Sequence, residues 1–200
     1  MSRDTVALDV SALPRIVFGN KGLVWWGTTG LVVIESTAFA MLLVTYYYLH
    51  GRVPEWPPAN PPALRWGTTS LIVFLISFIP NYLTKKAAEK FDLPHVRLWL
   101  TISTLFAMVA MIPRYYEFGA LNVRWDTNAY GSIVWVLIGT HTMHLVTDWY
   151  DTLVINVIAF TGPVDGKRFI DFSDNAMYWF FVVASWIPIY VTVYLAPYFL

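Results

Sequence analysis

The chain has 200 residues, of which 57% are hydrophobic and 18% aromatic while 13% carry charge, well under the quarter that is usual for soluble domains. Its 13 basic and 13 acidic residues cancel, and cysteine is absent, which excludes nucleic acid as a partner, disulfides, thiolate-held clusters and zinc sites of the cysteine type. What remains is an all-α integral membrane protein, expected as a bundle of five transmembrane helices.

Residues 1–22 interleave charges with short apolar groups and contain no continuous apolar core of the kind a signal peptide needs, so they are expected to form a cytoplasmic N-terminal tail. The rest, 23–200, is expected as one transmembrane domain. Its first span, near 23–49, holds a single interior ionisable residue, Glu35, about twelve residues or roughly 18 Å from the start of the helix. A connection with five prolines, RVPEWPPANPPALR, leads to a second span near 67–84. The basic connection TKKAAEKFDLPHVR then leads to a third near 95–113, at whose end stand Arg114 and Glu117. Charges at such an interface are expected to be solvated, with an ion pair or a partner contact as the alternative.

The fourth span, near 129–160, is the most informative part of the chain. It is long enough to cross the hydrocarbon layer yet carries His141, His144, Asp148 and Asp151. At about 100° per residue these four fall within an arc of roughly 80°. Such a stripe cannot face lipid, because each ionisable group in hydrocarbon costs at least ~2.5 kcal/mol, so it must face protein or water. A fifth span, near 174–198, contains Pro188 and is expected to kink there.

Nine of the 13 basic residues fall on the tail and on the second and fourth connections. This distribution places the N-terminus in the cytoplasm and the C-terminus outside. Tryptophan and tyrosine gather at the span ends, among them Trp25, Trp26, Tyr46, Trp66, Tyr115 and Tyr116, where amphipathic rings favour the headgroup region.

Depth along the first and fourth spans brings Glu35 level with Asp148, and His144 about one turn further out. Three readings of this intramembrane cluster stay open. Its members can be neutral groups hydrogen-bonded between helices; they can handle protons; or Glu35, His141, His144 and Asp148 can form a nitrogen and oxygen coordination set. The Glu-x-x-His pairs of carboxylate-bridged di-iron bundles are absent. So are a phosphate loop, an H-E-x-x-H and a G-x-S-x-G. Histidines three apart point to one side of a helix and cannot ligate one haem from both faces.

Several segments, taken together and in order, resemble subunit III of the haem-copper terminal oxidases, the cytochrome c and ubiquinol oxidase family. Tyr130, Gly131 and Ser132 followed by Gly139, Thr140, His141, Thr142, Met143 and His144 are similar to the family's YGS…GFHGxHV signature. Glu117 and Phe118 resemble the Glu-Tyr pair before it, and Glu35, Phe39 and the run Tyr46 to His50 resemble its SExxFF…YxH helix. In the last span, Tyr178 to Val183 with Trp186 and Tyr190 resemble YWHFVDxxW…Y. The chain departs from that pattern at Phe118, Thr142, Phe180 and Val183 and adds Asp148 and Asp151 to the stripe, which marks a divergent, five-helix bacterial form.

The resemblance implies a subunit without catalytic residues, metal or other cofactor of its own. It would sit in the bacterial inner membrane beside the catalytic subunit I, which carries haem and copper, and beside other oxidase subunits. Stabilising subunit I, holding phospholipid between its helices and supporting proton uptake are the implied roles. Glu35, His141, His144, Asp148 and Asp151 would then be buried internal contacts. Two rival expectations are an accessory subunit of a nitric oxide reductase and an independent membrane metalloenzyme built on Glu35, His141, His144 and Asp148. A small transporter fits less well, because no span is broken near its middle by glycine and proline together.

Overall fold

The computed structural model describes residues 16–58 and 60–199. They form five long helices: α1 (Leu23–His50), α2 (Leu64–Glu89), α3 (Leu93–Gly119), α4 (Ala129–Thr161) and α5 (Arg168–Tyr190). After α5 the chain widens into a π-helical turn, Val191–Leu195, and tightens into a 3₁₀ turn, Ala196–Tyr198. There is no strand among the described residues. Most of the expected N-terminal tail lies outside the described residues; the part inside includes a 3₁₀ turn at Gly19–Lys21.

By length and composition α1, α2, α3 and the segment from Arg168 to Tyr198 are each able to cross a membrane. α4 is the longest helix at 33 residues, and its histidines and aspartates dilute an otherwise apolar surface. Connections of a few residues tie its two ends to α3 and α5, so it runs alongside helices that cross. The helices overrun the apolar segments: α2 continues through Lys85 and Lys86 to Glu89, and α3 through Arg114 to Gly119.

Local chemistry fixes the ends. The Asp92 side chain accepts the His95 N–H at 3.3 Å and Pro94 occupies the first turn of α3, a position where a missing N–H is harmless. The Asn128 side chain accepts the Gly131 N–H at 2.8 Å at the start of α4. Gly131 has to be glycine, since a Cβ there would overlap the Arg124 carbonyl oxygen and the Val123 side chain. Asn128→Ala removes the cap and should cost about 1 kcal/mol, read as a lower melting temperature of the detergent-solubilised protein by size-exclusion thermal shift.

α2 packs chiefly on α3 and α5, α3 on α4, and α1 on α4 and α5. A core around Phe74, Leu137, Trp179, Val182 and Trp186 fills the middle. A second cluster, with Ala88, Leu100, Ala159 and Phe172, closes the end where α2 and α4 finish and α3 and α5 begin. Phe91 between Phe18 and Phe169 confirms that the segment before α1 lies at that same end. At the opposite end Tyr46, Trp56 and Tyr130 pack ring against ring.

Polar side chains tie the helices inside these apolar contacts. Trp179 Nε1 donates to Ser77 Oγ at 2.9 Å between α5 and α2. Arg97 Nε donates to the Ala159 carbonyl at 2.8 Å, satisfying one of the orphan carbonyls at the end of α4. Pro80 and Pro113 lie inside α2 and α3, which continue through them, and the Thr84 and Asn81 side chains bond back to the carbonyls of Pro80 and Ser77, so that these polar groups are satisfied within the helix.

Candidate functional site

The densest polar construction in the molecule surrounds Arg114 and Glu117. One turn apart on α3, they form an ion pair of 2.7 Å with side chains 2% and 0% exposed. This corrects the expectation that they are solvated interfacial charges. α3 does not stop at the edge of the apolar segment but runs on through Gly119, and the turn carrying the pair faces the bundle, where water cannot reach it.

Each remaining polar atom of the pair then calls for an internal partner, and four other segments supply partners to all but Arg114 Nε, which is buried without a hydrogen bond among the described residues. Glu117 Oε2 also accepts from Ser70 Oγ of α2 at 3.2 Å, and Oε1 accepts from the Tyr194 hydroxyl. Arg114 Nη2 donates to His141 Nδ1 of α4 at 3.1 Å, and its guanidinium lies 3.9 Å over the Trp186 ring of α5, a cation–π contact worth ~2 kcal/mol when desolvated. Because arginine only donates, His141 Nδ1 must accept, so its Nε2–H donates to the Val182 carbonyl at 2.9 Å. His141 is 0% exposed and both ring nitrogens are engaged.

Tyr194 reaches Glu117 from the π-helical turn, and its ring occupies the space that a Cβ on Gly67 would need, at 2.7 Å. Sequence reasoning missed Ser70, Tyr194 and Trp186 as members of this network. The available signal was a glycine in α2 beside an aromatic-rich chain end, too diffuse to point to a pairing.

The stripe on α4 is divided. His144 is half-buried: its Nδ1 donates to the Thr140 carbonyl at 2.7 Å, and its Nε2 stands 3.5 Å from Glu35 Oε1. Glu35 Oε2 accepts from the Tyr178 hydroxyl of α5 at 2.7 Å, so Glu35 joins α1 to both α4 and α5. Asp148 is 2% exposed, whereas Asp151 is exposed. Asn175 of α5 sits between them, its Nδ2 3.4 Å from Asp148 and 3.5 Å from Asp151, and its Oδ1 accepts from Thr152 at 3.2 Å.

Glu35, His144 and the aspartates thus follow one another down the α1–α4–α5 contact, while His141 turns to Arg114. Among the described residues, no group of three or more His, Asp or Glu is placed to hold a metal ion. His141 has no free nitrogen, and the second nitrogen of His144 faces Glu35, so these residues do not fit a haem or a copper ion.

No family model matches the chain. Among curated proteins it is 27% identical over 184 residues to cytochrome c oxidase subunit 3 of Synechocystis sp., covering 88% of this chain and 77% of that one. It is 26% identical over 191 residues to cytochrome c oxidase subunit 3 of a Bacillus species, covering 88% and 86%. The probable cytochrome c oxidase subunit 3 of Nocardia farcinica matches at 26% over 193 residues, covering 92% and 91%.

Proposed function

We propose that the chain, which is similar over most of its length to cytochrome c oxidase subunit III proteins, is an accessory, non-catalytic subunit of a haem-copper oxidase that packs in a bacterial inner membrane against the catalytic subunit I. One observation carries this reading. Three ionisable residues on which the resemblance rests, Glu35, Glu117 and His141, each close a hydrogen bond to a different segment of the bundle. They hold a scaffold together, and the redox chemistry belongs to the partner, where haem and copper would sit.

In the same reading the basic end of the bundle, with Lys85, Lys86, Lys90, Lys167 and Arg168, faces the cytoplasm. The N-terminal tail is then inside and the C-terminus outside. Phospholipid fills the grooves along α1, and the chain supports proton uptake by keeping subunit I in place during turnover. Lipid is the natural neighbour of α1, whose most apolar stretch is only 6% buried by the rest of the chain.

Purification through a tag on this chain, with native mass spectrometry and a reduced-minus-oxidised spectrum of the same sample, tests the proposal. Haem and copper in a large multispan partner are the expected result. Haem accompanied by non-haem iron would replace the oxidase with a nitric oxide reductase, and a lone colourless chain with tightly bound metal would overturn the accessory role.

A further inference from the structure

A cleft of about 450 Å³ opens between α1, α4 and α5. Four aspartates line it: Asp148 and Asp151 from α4, Asp171 and Asp174 from α5. Two of these are satisfied in part by nearby cations. Asp171 pairs with Arg168 at 3.2 Å, and Asp174 lies beside Lys85, which bonds to the adjacent Ser173. Asp148 and Asp151 share only the amide of Asn175, and neither has a basic side chain within 4.0 Å among the described residues.

A second observation is independent of the charge count. Asp148 is 2% exposed and Asp174 7%, and the Oδ2 atom of each is buried with no hydrogen-bond partner in the protein. An ionised carboxylate there lacks a donor, and a protonated one lacks an acceptor; both leave a buried polar atom unmatched. An external group that only donates and is positively charged matches the ionised form, supplying the missing donor and the missing counter-charge together.

The shape of the cleft selects among such groups. The acidic residues are too dispersed to enclose one bare metal ion, and Val24, Leu31 and Ile155 provide apolar wall beside them. An ammonium with three N–H donors on an alkyl stem meets both requirements: the head spans separated carboxylates and the methylenes lie along the aliphatic wall. A quaternary ammonium, which has no N–H, does not. We propose that this cleft binds a primary alkylammonium group, anchored by Asp148 and Asp151, supplied by a diffusible polyamine or by the ethanolamine headgroup of a membrane lipid. The inference rests on the membrane-subunit reading for where the cleft sits; its chemistry stands on the four carboxylates.

The test uses the tagged complex in phosphatidylcholine nanodiscs. One arm titrates spermidine by calorimetry, and the other exchanges in phosphatidylethanolamine and counts retained lipid by native mass spectrometry. Saturable binding in either arm is expected, which also identifies the source, with about a tenfold weakening in Asp148→Asn/Asp151→Asn. Asp151→Asn alone, at an exposed side chain that folding tolerates, should weaken binding to a smaller extent. Asp126→Asn, a surface carboxylate paired with Arg124, should bind as the parent does. Absence of saturable binding in both arms, equal affinity in the double variant, or equal competition by tetramethylammonium would overturn the proposal. Ammonium binding by a chain that purifies without haem would leave the site standing and remove the oxidase reading instead.

Discussion

Glu117→Leu is expected to destabilise the protein by about 3–5 kcal/mol, because it leaves the Arg114 guanidinium charged, buried and without its carboxylate. The same substitution strips Tyr194 and Ser70 of their acceptor. The double variant Arg114→Met/Glu117→Leu should recover most of that loss, since exchanging a whole buried pair for apolar volume is often neutral. His141 then loses only one bond and keeps the other to Val182. Thermal unfolding followed by size-exclusion fluorescence checks this. A double variant no better than the single would mean that the network is needed as a unit rather than as a neutralised charge.

Glu35 provides the second large contrast. Glu35→Gln keeps an oxygen for the Tyr178 hydroxyl and should retain assembly and oxygen consumption. Glu35→Leu leaves that hydroxyl and His144 Nε2 facing hydrocarbon, a loss of ~1–3 kcal/mol. The comparison is made by yield of intact complex and by oxygen uptake with an artificial electron donor. Abolition of oxygen uptake by Glu35→Gln, with the complex intact, would contradict the accessory role.

The five helices were legible because each carries an apolar run that must span or be buried, and helix breakers cluster between them. The stripe on α4 was legible as an arc, yet an arc does not state which neighbour each member meets. His141 and Asp148 turn inward, His144 meets α1, and Asp151 stays exposed. Arg114 and Glu117 were misplaced for a definite reason. Hydropathy ends the span at Pro113, but the helix continues and turns its i, i+3 pair toward α4 and α5. Asp171 escaped selection because the expected fifth span began at 174, whereas α5 starts six residues earlier at Arg168; Asp174 and Asn175 stood at the first two positions of that expected span, with nothing in the sequence to set them against α4. Partners such as Tyr178 and Tyr194 could not be read from the chain at all, since a tyrosine in an aromatic-rich helix carries no mark of the carboxylate it will meet.

The packing of α1 has a bearing on how the chain is made. Of the five helices this one is made first, but its polar anchors lie in and just after the last: Glu35 bonds Tyr178 across 143 residues, and Tyr47 bonds Thr192 across 145. At synthesis rates of about 5–20 residues per second, α1 waits roughly 7–30 s for its partners. During that interval its one interior carboxyl has no protein ligand from α4 or α5, while the proline-rich stretch after it sets it apart from α2. The polar closure of α1 is therefore among the last steps of assembly, since Glu35 has no Tyr178 hydroxyl until α5 is in place.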